Sequence, residues 1–415
     1  MPTTRGQVFN KSSRIGCSLT LGLSRLILQS FISSIEQDTH GPIGHPECCA
    51  YQRAAKQGRS SILAIGTRLG SVHVFDTSRP RTDGYRGSSR LLASTDTNSN
   101  LVVDLQWNTS DSLLAAACAD PYYAIVLLDP ETGTVSCTLT GHTLSAKAVA
   151  WSPVHPMLLM TGGRDGTIRL WDIRCRERTW ESESVSPITS IVGAHEQWDH
   201  SDRRTLQHVL GPCHKTITSL TYDCYDDYHL ISGGSFNGCF NVMYNILQRW
   251  NTRFLSDDYS RSPARPILSS CHDPTTISNR KHPRGVVSLC QGINGTSTVI
   301  FTLSMDSSIH TYSRLDLQPI GTPYKHPAML TNSFGAGLAL SPCGRWIACS
   351  SVSAEARVYL FDVQNVTRMW EMNDRGVELR GVFGRAGKLD WGEMELAVNN
   401  HSGAVSIWRP SPAVY

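Results

Sequence analysis

The most constraining feature of the chain is a repeat whose clearest copy is residues 141–174. It opens with Gly141-His142 and runs through AKAVAWSP, LLMTGGRDG and TIRLWDIR to Trp171-Asp172. The order is a short apolar strand, a turn, a second strand, a tight Asp-Gly turn and a third strand. Asp165-Gly166 supplies the positive-φ residues of a two-residue hairpin. Weaker copies precede it as SILAIGTRLGSVHVFD (61–76) and VVDLQW…LLAAACADPYYAIVLLD (102–129). Asp129 lies 43 residues before Asp172, and Trp107 lies 44 before Trp151. A period of ~40–45 with a GH…WD frame is the signature of a four-stranded propeller blade.

Further copies follow Gly193-Ala194-His195. They read TITSLTYD…HLISGGSFNGCFNVM (with Asn237-Gly238 as the turn), GVVSLC…STVIFTLSMDSSIHTY, FGAGLALSPCGRWIACSSVSAEARVYLFD and LDWGEMELAVNNHSGAVSIWR. The chain therefore reads as an all-β, seven-bladed WD-repeat β-propeller over residues 51–410. An N-terminal extension (1–50) precedes it and a short tail (411–415) follows. Residues 62–409 span 348 positions, about 50 per unit, so the excess over the repeat sits in insertions at 196–215 and 245–284. The second insertion is rich in Pro and Ser and carries Arg261, Arg265, Arg280, Lys281 and Arg284. It lacks apolar alternation and reads as a surface loop, either a solvated linker or a contact for phosphates. Ring closure removes exposed sheet edges. The outermost strand of the last unit is expected from residues 41–60 or from the apolar stretch 19–32.

Within the best copy, His142 can donate to Asp165 and link through Thr161 to the indole N–H of Trp171. Such a network satisfies buried polar groups and pins the turns of one blade. These four residues are read as structural.

Composition narrows the function. Apolar residues are 40% and charged residues 18%, enough for a large core and too little charge for a disordered chain. Lys+Arg is 38 against Asp+Glu 35, which argues against coating nucleic acid by bulk charge, and no direct sequence-specific nucleic-acid binding is expected. The 13 cysteines are odd in number and scattered, without C-x-x-C spacing. They read as reduced, packed residues of an intracellular protein. Residues 15–32 are apolar but interrupted by Arg25, short of the ~20 residues of a membrane span. The first acidic residue is Glu36, so this basic, Ser-rich start suits a transit peptide, a docking helix or a ring-closing segment. No P-loop, nucleophile elbow, H-E-x-x-H or G-x-G-x-x-G is present. Cys48-Cys49 near His45, Cys213-His214 and Cys271-His272 lack metal-ligand spacing. No catalytic residue, metal or cofactor is expected, and the function reads as recognition by loops on a rigid ring.

One tetrapeptide has the chemistry of a contact. In Trp171-Asp172-Ile173-Arg174 the arginine follows the last strand and leaves the blade on the ring's narrower side. Its guanidinium suits a partner carboxylate or carbonyls. A basic residue also follows a WD pair wherever the position is merely exposed.

Residues 140–195 resemble the third blade of denticleless-type WD-repeat proteins. The matching strings are TGH (140–142), KAVAWSP (147–153), TGGRDG (161–166), WDIRC (171–175) and GAH (193–195). A second match is NSFGAGLALSPCGRWIACSSVSAEARVYLFD within 332–362, and the layout agrees over about 60–410. The resemblance implies a non-enzymatic, nuclear substrate receptor of cullin-4 RING ubiquitin ligases. It implies docking on the damaged-DNA-binding adaptor through Trp171, Asp172 and Arg174. It also implies recruitment of replication-licensing factors and other proteins bound to the sliding clamp on chromatin, with the degron on the wider face. Two departures stand out. The next blade reads NVMYNILQ (241–248), without a second WDxR, and the chain stops at Tyr415, so the long tail of many animal members is expected to be absent. The competing readings are a WD scaffold of a chromatin or ribonucleoprotein complex and, last, an enzyme built on a propeller.

Overall fold

The structure is a computed structural model. It describes residues 33–34, 45–78, 90–178, 183–195, 215–223, 226–236, 247–254, 265–270, 285–331, 335–352, 357–363, 377–380, 386–393, 395–400 and 404–408. The chain is an all-β WD-repeat propeller. Six sheets are antiparallel meanders in chain order. The first comprises Pro46–Tyr51, Ile62–Thr67, Ser71–Asp76 and Arg90–Asp96. The second comprises Val102–Trp107, Leu114–Cys118, Ile125–Asp129 and Thr134–Leu139. The third has Ala146–Trp151, Leu158–Gly163, Ile168–Asp172 and Thr189–Ile191. The fourth has Lys215–Asp223, Asp226–Phe236, Leu247–Asn251 and Leu268–Ser269. The fifth has Val286–Gln291, Val299–Ser304, Ser308–Ser313 and Pro319–Lys325, and the sixth Leu338–Leu340, Trp346–Ser351, Arg357–Asp362 and Val377–Arg380. A further sheet joins Ala386–Trp391, Leu396–Asn400 and Ala404–Trp408 to the two-residue strand Ser33–Ser34.

The first strands of successive sheets stand side by side, and the last sheet returns against Pro46–Tyr51 of the first. Apolar residues pack between sheets. Met160, Ile168, Ile217, Leu230 and Trp250 fill the gap between the third and fourth sheets. Tyr51, Leu63, Phe75, Ala397, Val405 and Ile407 fill that between the last and the first. Each sheet therefore buries both faces against its neighbours, which no single repeat can do. Indole N–H groups also cross these gaps. Trp107 donates to Ala50 O (2.9 Å), Trp151 to Gln106 O (2.9 Å) and Trp391 to Ala339 O (3.1 Å). These bonds satisfy polar atoms that burial would otherwise orphan.

Three expectations change. Of residues 41–60, the described part does not close the last sheet, because Pro46–Tyr51 is the innermost strand of the first sheet, paired with Ile62–Thr67. The strand paired with Ala404–Trp408 is Ser33–Ser34, just beyond the 19–32 stretch. The segment 245–284 is not loop throughout, since Leu247–Asn251 and Leu268–Ser269 complete the fourth sheet. The physical reason is that both faces of Leu247–Asn251 are covered: Trp250 sinks into the core against the third sheet and Leu247, on the opposite face, into that against the fifth. Residues 196–214, and Asn237-Gly238, lie outside the described residues.

After the third sheet the chain adds to its neighbour. Glu183–Val185 pairs in parallel with Thr134–Leu139, and Glu177–Arg178 pairs with Glu183–Val185. The outer edge of the second sheet is thereby covered over its paired length.

Candidate protein-docking site

The third sheet is organised by a buried polar chain. His142 Nδ1 lies 2.9 Å from Asp165 Oδ2, and its Nε2 lies 2.7 Å from Thr161 Oγ1. Trp171 Nε1–H donates to the same Thr161 oxygen at 2.9 Å. Because the indole can only donate, Thr161 accepts from it and is free to donate to His142 Nε2. That assigns the proton on Nδ1 to the bond with Asp165. Asp165 also accepts from Thr143 N–H (3.0 Å), Thr167 N–H (3.1 Å) and the Thr167 hydroxyl (2.8 Å), the last a partner that the motif does not name. Burial by itself would raise the Asp165 carboxyl. The hydrogen bond and charge of His142, with the Thr143 and Thr167 bonds, outweigh it and hold the carboxyl at about 2.

The fourth sheet repeats this construction with different residues. His195 Nε2 lies 2.9 Å from Ser232 Oγ, and Trp250 Nε1–H donates to Ser232 Oγ at 2.8 Å. Thr161-Gly162-Gly163 corresponds to Ser232-Gly233-Gly234. A Cβ on Gly163 would come within 2.7 Å of His142 Nδ1, and one on Gly234 within 2.7 Å of His195 Nδ1. The second glycine of each pair is the space the histidine ring needs.

This equivalence corrects the reading of 241–248 as the tetrapeptide position. The fourth sheet carries Trp250-Asn251-Thr252-Arg253, with Asn in place of Asp. Arg174 N–H donates to Asp172 Oδ1 at 3.0 Å, and Arg253 N–H donates to Asn251 Oδ1 at 3.0 Å. The two guanidinium groups are held differently. Arg174 Nε donates to Asp172 Oδ1 at 2.8 Å, and Nη2 reaches Oδ2, so its fork is already engaged by its own carboxylate. The pairing, hydrogen bond first, lowers the Asp172 carboxyl and raises the Arg174 guanidinium. The Arg174 side chain stays 68% exposed. The neutral Asn251 offers no charge, and the Arg253 guanidinium carbon lies 3.3 Å from the ring centroid of Tyr228.

Both arginines lie at the end of the ring where third strands finish and second and fourth strands begin. Exposed apolar side chains share that end. Val154 and Met157 lie between the first two strands of the third sheet, and Ile188 precedes its fourth strand. Ile267 precedes the fourth strand of the fourth sheet, and Leu315 follows the third strand of the fifth. Leu315 is 82% exposed. Beneath it the fully buried Asp223 carboxylate receives Arg249 at 3.0 Å and Arg314 Nε at 3.1 Å, tying the fourth sheet to the fifth.

Of the basic loop, Arg265 is described and exposed, whereas Arg261, Arg280, Lys281 and Arg284 lie outside the described residues. Eight cysteines are described, all as free thiols. Burial pushes Cys118 up to about 11 and Cys290 up to about 12, away from thiolate chemistry. Among the described residues no group of three His, Cys, Asp or Glu could hold a metal ion, and no helix is long and apolar enough to cross a membrane.

Comparison with known proteins agrees with this architecture. The profile of the WD domain, G-beta repeat, matches residues 133–172. The chain is 25% identical over 97% of its length to denticleless protein homolog B of Xenopus laevis, covering 54% of that protein. It is 26% identical over 85% of its length to the cell division cycle protein cdt2 of Schizosaccharomyces pombe, covering 67% of it. It is 24% identical over 81% of its length to the human denticleless protein homolog, covering 44%. The chain spans about half the length of the denticleless relatives it matches. The propeller, its His-Thr-Trp blade and these relatives make the chain similar to WD-repeat proteins of the denticleless type.

Proposed function

We propose that the chain is a non-catalytic substrate receptor of a cullin-4 RING ubiquitin ligase, acting in the nucleus on cell-cycle proteins. It docks on the damaged-DNA-binding adaptor by the end of the ring that carries Arg174 and Arg253. The opposite end, where Leu69, Tyr122, Arg164 and Leu330 are exposed, faces the substrate. Proteins bound to the sliding clamp on chromatin are the substrate class to which the family resemblance points. We count the sheet closed by Ser33–Ser34 as the last of seven blades, which makes the ring a continuous, rigid spacer between the two ends. Such a receptor accelerates ubiquitin transfer by proximity, holding an acceptor lysine near the loaded conjugating enzyme.

The observation that carries this reading is the repetition of one construction on adjacent sheets. Two arginines occupy equivalent positions, each fixed by its own sheet, at an end of the ring that also exposes apolar side chains. Charged anchors within an apolar patch are the composition of a docking surface. Because Asp172 already orders Arg174, less side-chain entropy is lost when a partner covers it. Affinity purification of the wild-type chain beside Arg174→Ala, Arg253→Ala and the double variant tests the reading. The cullin-4 adaptor is expected with the wild type, reduced in each single variant and lost in the double. Equal recovery from all four refutes the docking assignment.

A further inference from the structure

A central cavity of about 550 Å³ runs between the first strands of the sheets. Its charges do not balance. Among the described residues, Arg53, Lys56, Lys147 and Lys388 line it against two carboxylates, Asp104 and Asp390. Both carboxylates are engaged, Asp390 by Lys56 at 2.8 Å and Asp104 by Lys388 at 2.6 Å. Arg53 lies beside Asp111. Lys147 is left half-buried in the channel wall without an ion pair among the described residues. The remaining acid near it, Glu47, contacts Arg68.

The surroundings of Lys147 are those of an anion site. Burial, then the charges of Lys388 and Arg164, lower its proton affinity, and Glu47 offsets them only in part. Arg164 is the exposed residue of an otherwise buried hairpin at the same end of the ring, and its backbone N–H donates to Ser145 O at 2.9 Å, two residues before Lys147. A β-bulge falls between Ala146 and Ala148, so Lys147 is the extra residue at the start of the first strand. A part-buried ammonium without a counter-charge carries a desolvation cost that an oxyanion would relieve.

We propose that the channel mouth at Lys147 and Arg164 binds a phosphate-type dianion, either free or carried on a partner's side chain. Two cations without counter-charges among the described residues suit a dianion better than a single carboxylate. The site lies at the opposite end from Arg174 and Arg253, so its fate is separate from that of the adaptor-docking reading.

The test is isothermal titration of the full chain with inorganic phosphate, and with a phosphoserine tripeptide beside its unphosphorylated twin. Lys147→Met and Arg164→Gln are titrated in parallel after their folds are checked by circular dichroism. Arg164 is exposed, so its variant serves if Lys147→Met fails to fold. The expected result is saturable phosphate binding, weakened about tenfold or more in a folded variant. Tighter binding of the phosphotripeptide than of inorganic phosphate, with none for its twin, assigns the anion to a partner side chain. Equal binding of the two phosphates assigns it to a free anion. The absence of saturable binding by either phosphate overturns the proposal, as does binding unchanged in every folded variant.

Discussion

Arg253 stands on the fourth sheet where Arg174 stands on the third, and each donates its backbone N–H at 3.0 Å to the side-chain oxygen two residues before it. The third sheet uses a carboxylate at that oxygen and the fourth an amide. The backbone geometry is the same, while the anchoring of the guanidinium changes from an ion pair with Asp172 to stacking on Tyr228. If Arg253 depends on that ring, Tyr228→Ala should weaken adaptor binding in step with Arg253→Ala, and Tyr228→Phe should leave it near wild type. A pull-down with both Tyr228 variants decides this. Loss in Tyr228→Phe would contradict the stacking account.

The hydroxyls of Thr161 and Ser232 each join a tryptophan to a histidine. Removing one leaves a buried indole N–H and an imidazole nitrogen unpaired, at a cost of about 1–3 kcal/mol. Thr161→Val and Ser232→Ala should therefore lower the urea midpoint without changing its slope. Thr161→Ser should restore most of the loss. If Thr161→Val unfolds at the wild-type midpoint, the polar chain contributes nothing to stability.

Acid should unfold the chain partly through Asp165. Its folded carboxyl is held at about 2, against 3.8 for an unperturbed one. Below pH ~4 the unfolded chain takes the proton first, so this contribution is complete above that pH and fades as the pH falls toward 2. It amounts to about 2 kcal/mol. Urea titrations between pH 5 and pH 2 should show a shallower acid loss in Asp165→Asn than in the wild type. Parallel pH profiles would remove Asp165 from the account.

Asp223 is the buried counter-charge of Arg249 and Arg314. Truncating it to Ala leaves two part-buried guanidinium groups uncompensated, which costs about 3–5 kcal/mol. Asp223→Ala should show a correspondingly lower urea midpoint, and wild-type stability would contradict the reading of this cluster as the tie between two sheets.

The third sheet was legible because its defining residues are close in sequence. Thr161 and Trp171 are 10 apart, and Asp165-Gly166 marks the turn between them. In the fourth sheet the same bond spans 18 residues, from Ser232 to Trp250. The Asn237-Gly238 turn signal drew the third strand several positions too early, and Asn251 hid the tetrapeptide. The usable signal was Ser232-Gly233-Gly234 after Gly-Ala-His, which repeats Thr161-Gly162-Gly163 with serine for threonine, followed by Leu247 and Trp250 buried on opposite faces. Ser33–Ser34 carries no pattern a two-residue strand could show, since its pairing is set by the edge it meets. The unmatched charge of Lys147 was illegible for another reason. Its neighbours Lys388 and Asp104 come together only when the ring brings distant strands side by side.

The central claim is that two equivalent arginines on adjacent sheets form one docking surface. Binding of the purified cullin-4 adaptor to the full chain, measured by surface plasmon resonance for wild type, Arg174→Ala, Arg253→Ala and the double variant, tests it most directly. The account predicts weakening of about tenfold or more in each single variant and no measurable binding in the double. Adaptor binding that survives the double substitution, or a wild-type chain that does not bind the adaptor, would contradict it.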